Sequence, residues 1–448
     1  MKKPHNQVEL LYGFNDKPKF LMLLLFSIQY IVPNAISLLF IVLVLQQSSI
    51  SNAEAISVIS ITMIIMAVIN FLQSRRWKFT PGMLLPPSVA PPYIAPGILA
   101  IKAGALPLVF GMTIIAGLVE VALTFVIRHI RKIIPDEIAA LILLLIAFEL
   151  GLLGVHLYSQ VHSPLTHTDE SRNILFYIVS YMPLLLILVF DQLCNQFFKR
   201  FSIVLAALIG YVLIYACGYM DQEHLAIIRN ASWFFVPHFF VGHYKFEMNL
   251  LFPFVIAAFI CSVKMIGSIF ALQEIQREEF TGRRDFKQLA KANFIDGLGT
   301  LSAGVFGSMG MNVSSSSIAL SLSTGVTSRY ISLPISILMF IFAFIPKIGY
   351  IFLYIPNAIM AAVLLDLSCS LVSSSCIILE KKMGHLKTQL YIGIGLTVGL
   401  SYGIYPQDFE QLPTYMSSFI GSSIALAMIT AVFLYGFLRG ISRLVRRS

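Results

Sequence analysis

Lys264 lies inside Leu250 to Leu272, a run of 23 residues that carries no other formal charge. An ammonium that deep in a bilayer costs about 2.5 to 3.5 kcal/mol on insertion scales, so such residues face a bundle interior or a watery cavity. Lysine offers donors and a positive charge but no acceptor, which suits contact with an anion. The competing role is a structural ion pair with a membrane-embedded carboxylate such as Glu120, Glu149 or Asp366. Two other stretches carry chemistry through their backbone. Pro81 to Pro96 holds six prolines, Pro81, Pro86, Pro87, Pro91, Pro92 and Pro96, which remove N–H donors and keep the chain extended. Gly307 to Thr324 joins glycines to the run Ser314, Ser315, Ser316 and Ser317, hydroxyls that serve either a solute or close helix packing.

The elements that must position these groups are membrane helices. The chain is 57% hydrophobic and 12% charged, against about 25% charged residues in a soluble domain. Its mean hydropathy is +0.83. Stretches near the length of a bilayer number about fourteen, from 19–45 to 413–437, and the third (85–102) and tenth (310–324) are the least helix-like. The first run is span-length and lacks a small-residue cleavage site, so it reads as a signal anchor.

The net charge of +9 is topogenic rather than a nucleic-acid footprint. With the N-terminus inside, 25 of the 31 Lys and Arg fall in the tails and loops on one face, among them Arg75, Arg76, Lys78, Arg283, Arg284 and the tail Arg439 to Arg447. Both termini are therefore expected in the cytoplasm of a multi-pass cytoplasmic (inner) membrane protein whose surroundings are the lipid bilayer. No nucleic-acid partner is expected. The five cysteines lack metal spacing, and His156, His162 and His167 do not match zinc patterns. There is no GxSxG, HExxH or phosphate loop, so neither an enzyme nor a cofactor or metal is expected.

A polar connection at 223–247 divides the chain into residues 1–222 and 248–448, with seven expected spans in each. An odd number per half inserts the second half upside down, the condition for an inverted repeat. Both halves interrupt their third span. Corresponding interrupted spans point to a transporter's binding site at the midplane, where half-helix N-termini face an anionic or carbonyl-bearing ligand. Asp296 falls near the expected start of the ninth span, where a carboxylate favours a helix N-terminus, so capping is the expected role over ion coupling.

The motif DGLGTLSAGVFG, Asp296 to Gly307, followed by TGVTSR, Thr324 to Arg329, resembles the nucleobase–ascorbate transporter family of uracil and xanthine permeases. Gln29, the proline-rich third span, Trp233 to Phe246, Ile266-Gly267 with Ala271, Ile355-Pro356 and Leu412 to Leu438 follow in the same order. The resemblance implies an all-α membrane protein of fourteen segments in two inverted seven-segment repeats, with short strands in segments 3 and 10. It implies a core domain of spans 1–4 and 8–11 and a gate domain of spans 5–7 and 12–14. It also implies a small-molecule substrate of the nucleobase class, proton or sodium symport, and a frequent homodimeric state.

Carried over residue by residue, the family's span-eight carboxylate falls on Lys264, and the position four residues on is Ser268. The span-ten acid or amide and the Asn after it fall on Ser316 and Ser317. The His after Gln29 is Tyr30. Lysine reverses the acceptor and protonation properties of a carboxylate. The expected site is therefore Lys264, Ser315, Ser316, Ser317, Gln29, Tyr30, Pro91 and Ser268 around a small planar or anionic solute. Helix packing remains the competing role for Gln29 and the serines, and plain aromatic packing for Tyr30 and Tyr93. Rival functions are an anion transporter of the sulfate, bicarbonate or benzoate type and a receptor that does not transport.

Overall fold

The computed structural model describes residues 10–133, 136–160, 170–193, 202–220, 222–275, 285–380, 383–384, 386–405 and 423–445. Fifteen helices are described, numbered here in chain order: α1 Phe20–Leu45, α2 Asn52–Ser74, α3 Ile94–Ile133, α4 Asp136–Ser159, α5 Glu170–Leu193, α6 Ser202–Ala216, α7 Gln222–Asn230 and α8 Met248–Ile275. Then follow α9 Phe286–Phe306, α10 Ser315–Thr324, α11 Ser332–Phe342, α12 Pro346–Leu353, α13 Asn357–Glu380, α14 Leu386–Ile404 and α15 Ser423–Val445. Two three-residue strands, β1 Pro87–Val89 and β2 Met311–Val313, pair antiparallel in the register Pro87 with Val313, Ser88 with Asn312 and Val89 with Met311.

The strands stand where the sequence interrupts its third and tenth segments. Prolines on one side and Gly307, Gly310 and Ser314 on the other stop helical bonding, and each strand then feeds a helix. A 3-10 turn at Pro91–Tyr93 leads into α3, and Ser314 caps α10 by accepting from the Ser317 N–H. Helix α3 itself breaks at Gly104 and Ala105, whose φ is 59°, just before Pro107. Among the described residues six helices are long and apolar enough to cross a bilayer, and Arg329–Phe342 with Pro346–Leu353 forms a further pair bent by 85°. Three shorter apolar helices accompany them.

The chain forms two compact units. The first comprises Met1–Arg128, Ile228–Glu247 and Ala257–Leu353, and the second His129–Ile227, Met248–Ile256 and Tyr354–Ser448. Within the first, glycines let α3 and α9 approach to backbone contact. A Cβ on Gly117 would strike Leu301, one on Gly297 would meet Val121 and Glu120, and one on Gly304 would meet Ile114. Small residues permit such approach where helices gain little from apolar burial against lipid. The segment 223–247, expected as a connecting loop, contains α7 and then a strap tied to the first unit. Phe235 N–H donates to Phe344 O at 3.0 Å, Phe240 N–H to Phe306 O at 3.2 Å and Lys245 N–H to Pro107 O at 2.9 Å. Near the N-terminus, Leu11 N–H donates to Gly325 O and Thr327 N–H to Tyr12 O, while Phe14, fully buried, packs with Met265, Ile269, Val313 and Ile318. In the second unit α4 packs on α13, with Ser368 Oγ donating to Ala147 O at 2.7 Å.

Candidate functional site

The strand pair gathers the charged groups. Lys264, midway along α8 and half-buried, donates from Nζ to the carbonyl of Val313 at 2.9 Å. Val313 directly precedes Ser314, so the ammonium sits beside the start of α10, where unsatisfied N–H groups already favour negative charge. Ser315 and Ser316, in the first turn of that helix, are exposed, whereas Ser317 is fully buried and donates to Asn34 Oδ1 at 3.4 Å. Lys264 is thus held on the residue before the Ser314 cap, and Ser315 and Ser316 are the first two residues of the helix that follows.

Behind the strands lies a buried polar layer. Asp296 Oδ2 accepts from Asn312 Nδ2 at 2.6 Å, and the same amide donates to Cys261 O at 3.1 Å. Asp296 and Lys264 are thus held on neighbouring residues of β2, Asp296 through Asn312 and Lys264 through Val313. On the other side Tyr93 OH donates to Glu120 Oε1 at 2.8 Å, and Asn293 Nδ2 donates to Glu120 O at 3.0 Å. Thr300 Oγ1 donates to Met311 O at 2.9 Å and accepts the Met311 N–H at 3.2 Å. Low polarity strengthens each of these bonds and penalises any left unmade.

The structure corrects the expected role of Asp296. It does not cap a helix: α9 starts at Phe286, Asp285 is its N-cap through the Lys287 and Gln288 N–H groups, and Asp296 is 3% exposed well inside. Lys287 and Lys291 lower the hydropathy of the first turns of α9, so the apolar part of the helix begins after them. Tyr93, expected as plain aromatic packing, is a hydrogen-bond donor to Glu120. Asn312 was not singled out, since an isolated Asn has no periodic signature.

The remaining expected site residues are more scattered. Tyr30 is fully buried, and its hydroxyl bonds Ser321 Oγ at 2.7 Å and donates to Val326 O at 3.0 Å, fastening α1 to the far end of α10. Gln29 is half-buried and its Oε1 is a buried acceptor with no hydrogen-bond partner among the described residues. Pro91 is half-buried at the first position of the 3-10 turn, and Ser268 lies half-buried on α8 one turn beyond Lys264. Among the described residues no group of three or more His, Cys, Asp or Glu is arranged to hold a metal ion.

Residues 21–408 match the family described as Permease family, whose model is that of the xanthine/uracil permeases. The chain is 21% identical over 440 residues to the xanthine permease XanP of Escherichia coli (strain K12), covering 95% of this chain and 94% of that protein. It is 23% identical over 335 residues to the uric acid transporter UacT of Escherichia coli (strain K12), covering 74% of this chain and 67% of the relative. Among solved structures, the murine Solute Carrier 26 family member A9 anion transporter in the inward-facing state aligns with a TM-score of 0.60 at 12% identity, covering 96% of this chain and 70% of that one. That last likeness concerns the fold. The family match along most of the sequence decides the assignment: the chain belongs to the xanthine/uracil permeases of the nucleobase–ascorbate transporter family and is a multi-pass membrane transport protein.

Proposed function

We propose that the protein carries a nucleobase-like solute rich in carbonyl oxygens, or its anion, across the cytoplasmic membrane. The single observation that supports this most is the seat of Lys264: its ammonium, anchored on Val313 O at 2.9 Å, stands beside the exposed Ser315 and Ser316 at the start of α10. An ammonium has three protons, so two remain for solute oxygens once Val313 is served. The N-terminal N–H groups of α10 add a second set of donors. An oxidised purine offers carbonyl acceptors to both. Relatives described as a xanthine permease and a uric acid transporter are consistent with that class.

The carrier works by alternating access, a core of spans 1–4 and 8–11 moving against a gate of spans 5–7 and 12–14, within fourteen spans arranged as two inverted repeats. Support comes from the division of the chain into two compact units, one of which holds both strands and Lys264. The basic residues gathered at one set of loops favour cytoplasmic termini. A second reading, a carrier of inorganic or aromatic anions, draws on the fold shared with an anion transporter.

Thermal stabilisation of the purified protein by xanthine, urate, benzoate, bicarbonate and sulfate separates these readings. Xanthine or urate should raise Tm in the wild type and fail to do so in Lys264→Ala. Stabilisation by sulfate or bicarbonate alone favours the second reading, and equal stabilisation of both proteins by xanthine removes Lys264 from the site. A wild type that no solute stabilises would make a receptor without transport the better account.

A further inference from the structure

Asp296 is a carboxylate set deep in an apolar helix, and a charge at such depth attracts either a cation or a proton. Asn312 Nδ2 donates to it at 2.6 Å, and the ammonium held on the same strand is that of Lys264. Lys264 is itself seated on Val313, the next residue of the same strand, so one strand holds the acid and the ammonium. Asn312 Oδ1 is a buried acceptor with no hydrogen-bond partner among the described residues. A strand carbonyl, a carboxylate and an amide oxygen are the donor types that hard cations prefer.

We propose that Lys264 is a tethered cation, its ammonium standing where a co-transported cation would bind beside Asp296, so that this carrier moves its solute without sodium or proton coupling. The inference rests on reading this place as the transport site. The positive charge near Asp296 belongs to a side chain that cannot leave the protein, and as long as the ammonium keeps its proton through the cycle no cation gradient is linked to the solute. The other titratable groups around Asp296 are Glu120 on α3, Tyr93 in the turn before it and Cys261 on α8. Of these, Glu120 accepts a hydrogen bond from the Tyr93 hydroxyl at 2.8 Å and is the second carboxylate of the layer. It is the group that the controls must separate from Asp296.

The test needs no substrate. Thermal unfolding of the full-length protein is followed in sodium chloride and in N-methylglucamine chloride at equal ionic strength. Wild type and Lys264→Arg should unfold at the same temperature in both salts, whereas Lys264→Gln and Lys264→Ser, which free Val313 O and leave Asp296 uncompensated, should gain a sodium-specific rise of about 2 °C or more. Adding Asp296→Asn to Lys264→Gln should abolish the gain, and adding Glu120→Gln should leave it. A sodium-specific rise in the wild type, no rise in either neutral variant, or a rise that survives Asp296→Asn would each overturn the proposal. In proteoliposomes, wild-type uptake of xanthine or urate should be indifferent to inward sodium and proton gradients, and accumulation driven by either overturns it as well. If neither solute is carried, the transport reading fails, while the salt titration still decides whether Lys264 fills a cation's place.

Discussion

The two strand-bearing segments do the same mechanical job with opposite materials. Around β1 the chain is proline, and its polar side chains are few. Pro86 contributes only a carbonyl, which accepts the Ser314 N–H at 2.9 Å, and Pro87 has no donor to give. Around β2 the residues are Gly310, Asn312 and Ser314 to Ser317, and they hold an acid, a lysine and a helix N-terminus in reach of each other. The comparison teaches that an interrupted span can supply a frame or a site. Proline fixes an extended backbone without adding polar groups that would need partners, while Asn and Ser add partners whose positions the frame then fixes.

The largest effect is expected where the two segments touch. A Cβ on Gly310 would drive into the Tyr93 ring, so Gly310→Leu should part the strands and cost about 3 kcal/mol or more, read as loss of monodisperse protein in size-exclusion chromatography. Lys264→Ala should leave the fold in place and weaken xanthine or urate binding by about tenfold or more, since a charge-assisted contact to a ligand is worth roughly 1.5 to 3 kcal/mol; calorimetric titration measures it. Asn312→Ala strands the Asp296 carboxylate and the Cys261 carbonyl, and should lower stability by about 1 to 3 kcal/mol in thermal unfolding. Its partner in register, Ser88, donates to Asn312 O at 3.3 Å, and Ser88→Ala should cost less than about 1 kcal/mol. At the small end, Pro87→Ala should change Tm by no more than the equivalent of about 1 kcal/mol, because its role is to restrict the unfolded chain. If Pro87→Ala proved as damaging as Asn312→Ala, the contrast between frame and site would collapse.

Much of this was legible before any coordinates. Proline pairs and a glycine-serine run announce breaks through local rules, and both breaks became strands followed by helices. Lys264 is visible because a charge in an apolar run is rare on energetic grounds. Legibility failed where hydropathy and structure part company. Asp296 looked terminal because charged residues mask the first turn of α9, and the true cap, Asp285, lies one residue before that turn. The place of Tyr30 beside Gln29 gives no sign that its hydroxyl belongs to a network with Ser321 and Val326.

By itself, then, the sequence determined that the chain lives in a membrane, that two of its segments are broken and that one lysine carries an unusual burden, since composition and local backbone preference are properties of neighbouring residues. The tertiary structure alone decided that Ser88 faces Asn312 across 224 positions, that Lys264 rests on Val313 and that Asp296 accepts from Asn312. Those relations follow from strand register and from glycine-permitted helix approach, and no local periodicity encodes the meeting of residues so far apart.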